Sequence, residues 1–192
     1  MRSALGVLLV LVVAAGCGSN SARIAVKQLP MLVLQPADLP PAFARFDEGE
    51  QVSLDRVPGP RYNPARFGRE NGWKARYRRP GTTATPGPLV VESRADVFAS
   101  SSGARDDLSA YRDQFEHAVA AHLIQAPRIG DGVVAMTQLQ PGNPGIRFYS
   151  IAWRDANVTA SVTANGFQGR LTLAQALALA QAQERRMAAA AG

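Results

Sequence analysis

Cysteine is almost absent from the chain, since Cys17 is the only one among 192 residues. A lone cysteine excludes an intramolecular disulfide, so the fold has to be stabilised by its packed core. The chain has two histidines, His117 and His122. Side chains five positions apart on a helix diverge by about 140° and do not converge on one metal ion. The sequence therefore predicts no metal site and no cofactor.

Motifs of common enzyme classes are also missing. No Gly-x-Ser-x-Gly segment marks a nucleophile elbow, and Gly130-Asp131-Gly132 is typical of a turn before a strand rather than of a phosphate-binding loop. The 15 acidic residues offer no pair that stands out as a general acid and base. We therefore predict no catalytic residues; an enzyme with an unrecognised site is the alternative.

The longest apolar run lies at the N-terminus. It extends from Ala4 to Ala15, follows Arg2, and is too short to span a bilayer with room to spare. The small residues before Cys17 resemble the bacterial lipobox, with Ala14 at the position where leucine is commonest. This resemblance implies cleavage before Cys17 and acylation (palmitate) of its thiol. A plain secretory signal with a stray cysteine is the alternative.

These observations predict four segments. Residues 1–16 are a lipoprotein signal peptide, and 17–28 are the acylated cysteine and a tether. Residues 29–188 are a single α+β domain, and 189–192 are a tail. The expected location is the extracytoplasmic face of the cell membrane, where the lipid on Cys17 anchors the protein.

Positive charge is concentrated in one segment. Residues 61–80 contain seven of the 21 Lys and Arg residues, and Glu70 is the only acid among them. Within this segment, residues 72–79 alternate between apolar and basic side chains, the period of a strand with one buried face. The apolar side chains are Trp73, Ala75 and Tyr77. The basic ones are Lys74, Arg76 and Arg78, with Arg79 next.

We predict Lys74, Arg76, Arg78 and Arg79 as candidate anion-binding residues, with anionic lipid or a cell-wall polymer as the candidate partner. The alternative is that these charges only keep the outer face of the strand solvated. Nucleic acid is not expected as a partner, because buried aromatic side chains cannot stack on bases and the protein is exported. The sequence names no protein partner or small ligand.

Hydrophobic periodicity predicts the order strand, strand, helix, three strands, helix. The predicted strands cover 72–79, 89–99, 132–139, 146–154 and 157–164. The helices cover 104–123 and a segment that opens at Thr172 with a capping-box pattern. Residues 29–50 are interpreted as an apolar docking segment followed by a turn and a loop. The fold class is α+β: a single antiparallel twisted sheet of about five strands with two main helices packed on one face.

Several short motifs carry a wider resemblance. They are Pro36-Ala37-Asp38-Leu39-Pro40, Gly72-Trp73, Ile129-Gly130-Asp131, Trp153-Arg154-Asp155-Ala156-Asn157 and Gln183-Glu184-Arg185-Arg186. With them the chain resembles uncharacterised surface lipoproteins of actinobacteria and, more distantly, the extracellular sensor domains of mycobacterial serine/threonine kinases. The resemblance implies an antiparallel sheet with packed helices and a sensor-like binding or interaction module. It implies no catalytic residue, and the paired cysteines of those kinase domains are absent.

Overall fold

The computed structural model describes residues 23–51 and 63–191. Its strands are β1 (Ala44–Glu50), β2 (Arg69–Arg78), β3 (Val90–Phe98), β4 (Ala121–Ile124), β5 (Gly132–Gln140), β6 (Ile146–Asp155) and β7 (Val158–Phe167). Its α-helices are α1 (Leu29–Leu32), α2 (Ser101–His117) and α3 (Leu173–Ala191). Three short 3-10 turns cover Val26–Gln28, Pro36–Asp38 and Pro64–Phe67.

The described strands form one antiparallel sheet of seven strands in the order β1-β2-β3-β7-β6-β5-β4. The α+β class is confirmed, but the predicted count of about five strands is wrong, because β1 and β4 were missed. Both are edge strands. β1 is largely exposed on both faces, so its sequence ARFDEGE lacks the apolar alternation that marks a half-buried strand.

The two long helices lie on opposite faces of the sheet, and the prediction that both pack on one face is wrong. Val134 and Ala152 pack with Tyr111 and Phe115 of α2. Their neighbours along β5 and β6, among them Trp153, belong to the core that α3 covers. Adjacent residues of a strand point to opposite faces. Continuous apolar runs in β5 and β6 are therefore the pattern of strands buried on both sides.

The helix predicted over 104–123 is shorter at its C-terminal end. Ser100 caps α2, since its Oγ accepts a hydrogen bond from the Gly103 N–H at 3.1 Å, and the helix ends at His117. Ala120 then takes a positive φ of 57°, and the chain turns into β4. Val119 continues the apolar spacing of the helix but is 85% exposed. Pairing of β4 with β5 replaces the helical hydrogen bonds that the periodicity favours.

The N-terminal segment is packed against the domain before α1 begins. Ile24 is fully buried, and Leu32, Val33 and Leu34 follow it into the core. Residues 24–28, expected to belong to the tether, are therefore part of the packed structure. Asn157, just before β7, fixes this segment: its Oδ1 accepts from the Ile24 N–H at 2.9 Å, and its Nδ2 donates to the carbonyls of Ile24 and Phe98.

Candidate functional site

The outer face of β2 was predicted as the candidate site, and the structure divides the strand as its alternation indicates. Ala75 and Tyr77 are fully buried, and Trp73 packs at the margin of the same core. Lys74 and Arg76 are half-buried, and Arg78 is exposed. The aromatic side chains of β2 therefore belong to the core. Its charged side chains lie on the opposite face of the sheet, the face on which α2 packs against other strands.

Two of the predicted anion-binding cations already have acidic partners. Lys74 Nζ lies 2.8 Å from Asp47 Oδ2, and Arg76 Nε lies 3.2 Å from Glu92 Oε2. The side-chain hydrogen bond from Lys74, together with the charge of Arg76, holds the pKa of Asp47 below its usual range. Sequence reasoning missed Asp47 because β1 was not predicted, so no register placed it beside β2. The outer face of β2 around Lys74 and Arg76 is therefore a network of ion pairs and not a patch of unpaired positive charge.

The other two cations lie toward the C-terminal end of β2. The Arg78 guanidinium lies 5.3 Å from the centre of the Phe46 ring, which is 40% exposed. Arg79 Nε donates to the Pro88 carbonyl at 2.7 Å, and the guanidinium lies 5.2 Å from the Phe43 ring. Arg79 therefore holds the loop before β3 in place, which leaves Arg78 as the more accessible charge for an anion.

The chain enters the domain at one end of the sheet, which we call the tether end. Arg23, the first described residue, donates a hydrogen bond to the Glu70 carboxylate near the start of β2. The carbonyls of Ile24 and of Phe98, at the end of β3, accept from the same Asn157 amide. β2 is ten residues long, so Arg78 is about 30 Å from the tether end at ~3.3 Å per residue. Cys17 itself lies outside the described residues.

The two histidines of the chain, His117 and His122, belong to different elements of the structure. His117 Nδ1 lies 2.7 Å from the Asp113 carbonyl within α2, whereas His122 is an exposed residue of β4. Over residues 23–51 and 63–191, no group of three or more His, Cys, Asp or Glu side chains could hold a metal ion. In the same ranges, no helix has the length and apolar character needed to cross a membrane.

Residues of three of the short motifs named above contact one another or β3 at α3. Arg186 pairs with Asp38 at 2.5 Å, and Gln183 accepts a hydrogen bond from the Ser93 hydroxyl at 2.7 Å. The indole N–H of Trp153 donates to Glu184 Oε2 at 2.5 Å. These three contacts tie α3 to the segment after α1, to β3 and to β6. They explain the motif residues involved as supports of the fold.

Three carboxylates gather where β6 ends. Asp131 pairs with Arg154 at 3.0 Å, and Glu184 accepts the hydrogen bond from the Trp153 indole N–H. Burial raises the pKa of Glu184, and the charges of Asp155 and Asp131 raise it further. Burial and the neighbouring Asp131 charge also raise the pKa of Asp155. The folded state therefore favours the protonated forms of Glu184 and Asp155 more than the unfolded state does.

Replacing Glu184 by glutamine should make the domain more stable at neutral pH but not at low pH. The raised pKa of Glu184 means that its favourable contribution is complete below the unfolded-state pKa and is lost as pH rises through the folded-state pKa. Glutamine keeps an acceptor for Trp153 without the charge. The difference in unfolding free energy between Glu184→Gln and wild type should increase from about pH 4 to pH 7. Urea denaturation across this range measures it.

Glu116→Gln is the matched control, because Glu116 is an exposed glutamate on α2. Its difference from wild type should be small, because an exposed side chain makes few contacts. A Glu184→Gln difference that does not change with pH would contradict the effect assigned to the carboxylate cluster.

These elements define an α+β domain in which a seven-stranded antiparallel sheet carries a long helix on each face. The same fold is found in the crystal structure of the extracellular domain of PknH from Mycobacterium tuberculosis. The match has a TM-score of 0.64 and 15% sequence identity, and it covers 88% of this chain and 99% of that chain. It confirms, as a likeness of fold, the expected relation to extracellular domains of mycobacterial kinases. No protein-family model and no curated protein sequence matches the chain.

Proposed function

We propose that the chain is an exported, sensor-like binding module held on the outer face of the cell membrane by an acylated Cys17. The observation that carries the proposal is the fold, which spans nearly all of a domain that is extracellular in PknH. The signal-like N-terminus supports the same location, since an apolar run and small residues precede the lone cysteine.

The position of Ile24 in the domain indicates that the tether between Cys17 and the packed structure is short. Ile24 is buried and hydrogen-bonded to Asn157, so only residues 18–22 and Arg23 separate Cys17 from packed structure. The seven Cα–Cα steps from Cys17 to Ile24 can span about 23 Å at ~3.3 Å per residue. The domain would therefore be held close to the lipid, by its tether end.

Anionic lipid is a weaker candidate ligand for the basic face of β2. Lys74 and Arg76 are paired with Asp47 and Glu92, and the exposed Arg78 lies at the end of β2 away from Arg23. A charge that faces away from the anchor is better placed for a wall polymer than for the bilayer that holds the anchor.

The anchor is tested by labelling cells with an alkyne analogue of palmitate. We expect the full chain to incorporate the label and to enter the detergent phase on Triton X-114 partitioning. Cys17→Ala should abolish the label, because no other cysteine exists to carry it. Ser19→Ala, two residues along, is the matched control and should label as wild type does. Label that persists in Cys17→Ala, or a wild-type chain that takes up none, would refute the anchor.

A further inference from the structure

The edge of the sheet formed by β4 and β5 is incomplete. β4 pairs with β5 from Ala121 opposite Gln138 to Ile124 opposite Ala135, but β5 begins at Gly132. In the part of the chain that the structure describes, residues 132–134 therefore have no paired strand on the side away from β6. Pro127, which the register would place opposite Gly132, lacks an N–H and cannot donate to a continued ladder there.

A groove lies where the two strands separate. Its volume is about 430 Å³, within the range of small ligand sites. α2 contributes Arg112, and the remaining lining comes from residues 123–126 and 133–135. Apart from Gln125, these lining residues are apolar. The groove thus combines an open backbone edge with an apolar floor.

Arg112 is the charged group of this groove. Its side chain is exposed, and within residues 23–51 and 63–191 it forms no ion pair. Arg105, two turns earlier on the same helix, lies instead 3.6 Å from Asp106. An arginine without an acidic partner beside an apolar groove is complementary to a ligand that carries a carboxylate.

We infer that this groove binds an extended peptide with a free carboxylate, which adds a short strand to the open edge of β5. The backbone of residues 132–134 supplies main-chain pairing, the apolar lining receives alternate side chains, and Arg112 pairs with the carboxylate. A fatty acid would use the lining and Arg112 but not the unpaired backbone edge, so the edge favours a peptide. The inference rests on the proposed function and names the class of ligand that the module binds.

The test uses the full chain in detergent micelles and a fluorescein-labelled hexapeptide of alternating threonine and valine with a free C-terminal carboxylate. We expect saturable binding by fluorescence anisotropy. Arg112→Gln should weaken it about tenfold, the usual cost of losing a charge-assisted hydrogen bond. Arg105→Gln, on the same helix and outside the groove, should bind as wild type does.

The C-terminal amide of the same peptide completes a double-mutant cycle. It should bind wild type about tenfold more weakly, and Arg112→Gln should cause no further loss, because the two partners of one interaction are then both removed. A photoreactive valine in the peptide should crosslink to residues 123–126 or 133–135. Thermal unfolding of Arg112→Gln should match wild type, which separates lost binding from lost folding.

Four results would overturn the inference. They are no peptide binding to wild type, equal losses in Arg112→Gln and Arg105→Gln, crosslinks elsewhere, and binding of decanoate in the groove without binding of the peptide. None of them bears on the palmitate label at Cys17. Intact labelling with no peptide binding would therefore leave the membrane-anchored module standing and remove only its peptide groove.

Discussion

Asp96→Ala should lower the free energy of unfolding by about 3–5 kcal/mol, because it leaves a buried guanidinium without its counter-charge. Arg69 Nε donates to Asp96 Oδ1 at 2.6 Å, and the two side chains are 8% and 3% exposed. Gly72 lies directly beside this pair, where a Cβ would be 2.0 Å from the Arg69 guanidinium. Because Gly72 has no side chain, the Arg69–Asp96 ion pair can lie across β2 at this position.

Asp47→Ala is the control for this substitution. Asp47 is also a strand aspartate paired with a cation, but its side chain is 34% exposed, so its loss should cost at most about 1 kcal/mol. Urea denaturation of both variants at pH 7 gives the comparison, and the midpoint temperature of Asp96→Ala should fall by on the order of 10 °C. Similar losses in the two variants would contradict the role assigned to the buried pair.

Asn157→Ala should cost about 2–4 kcal/mol and free the N-terminal segment. The Asn157 side chain satisfies three buried backbone groups, the N–H and C=O of Ile24 and the C=O of Phe98. Without it, these groups stay desolvated unless residues near Ile24 leave the domain. We therefore expect trypsin to cleave after Lys27 much faster than in wild type, as followed by mass spectrometry of the fragments.

Asn165→Ala, near the other end of β7, is the matched control because Asn165 is only half-buried. It should keep the wild-type rate of cleavage and lose well under 1 kcal/mol. Unchanged protection of Lys27 in Asn157→Ala would show that burial of Ile24 alone holds the segment.

The sequence predicted those elements whose periodicity agrees with their packing. The β6–β7 hairpin turns at Ala156, and Thr172 and Gln175 form the expected capping box at the start of α3. β4 could not be recognised, since Leu123 fits a helical stripe as well as a strand and tertiary pairing decides between them. The placement of α2 and α3 on opposite faces was readable in principle from the continuous apolar run through Ile151 and Trp153.

The candidate site was predictable only in part. Alternation along β2 correctly separated Tyr77 from Arg78, because a strand exposes every second residue. It could not show that Lys74 meets Asp47, since that contact depends on the register of an edge strand with no apolar pattern. The groove beside Arg112 could not be predicted from the sequence, because its position depends on the residue at which the pairing of β4 with β5 ends.

The attachment of the N-terminal segment to Asn157 sets what can approach the groove. Asn157 lies at the tether end, and so do the start of β5 and the end of β4. With Cys17 in the bilayer, the reach of the chain from Cys17 to Ile24 would keep the tether end within about 23 Å of the headgroups at ~3.3 Å per residue. The groove would then lie on the membrane side of the domain, where an extended chain along the membrane surface, or the stalk of a neighbouring membrane protein, would be within its reach.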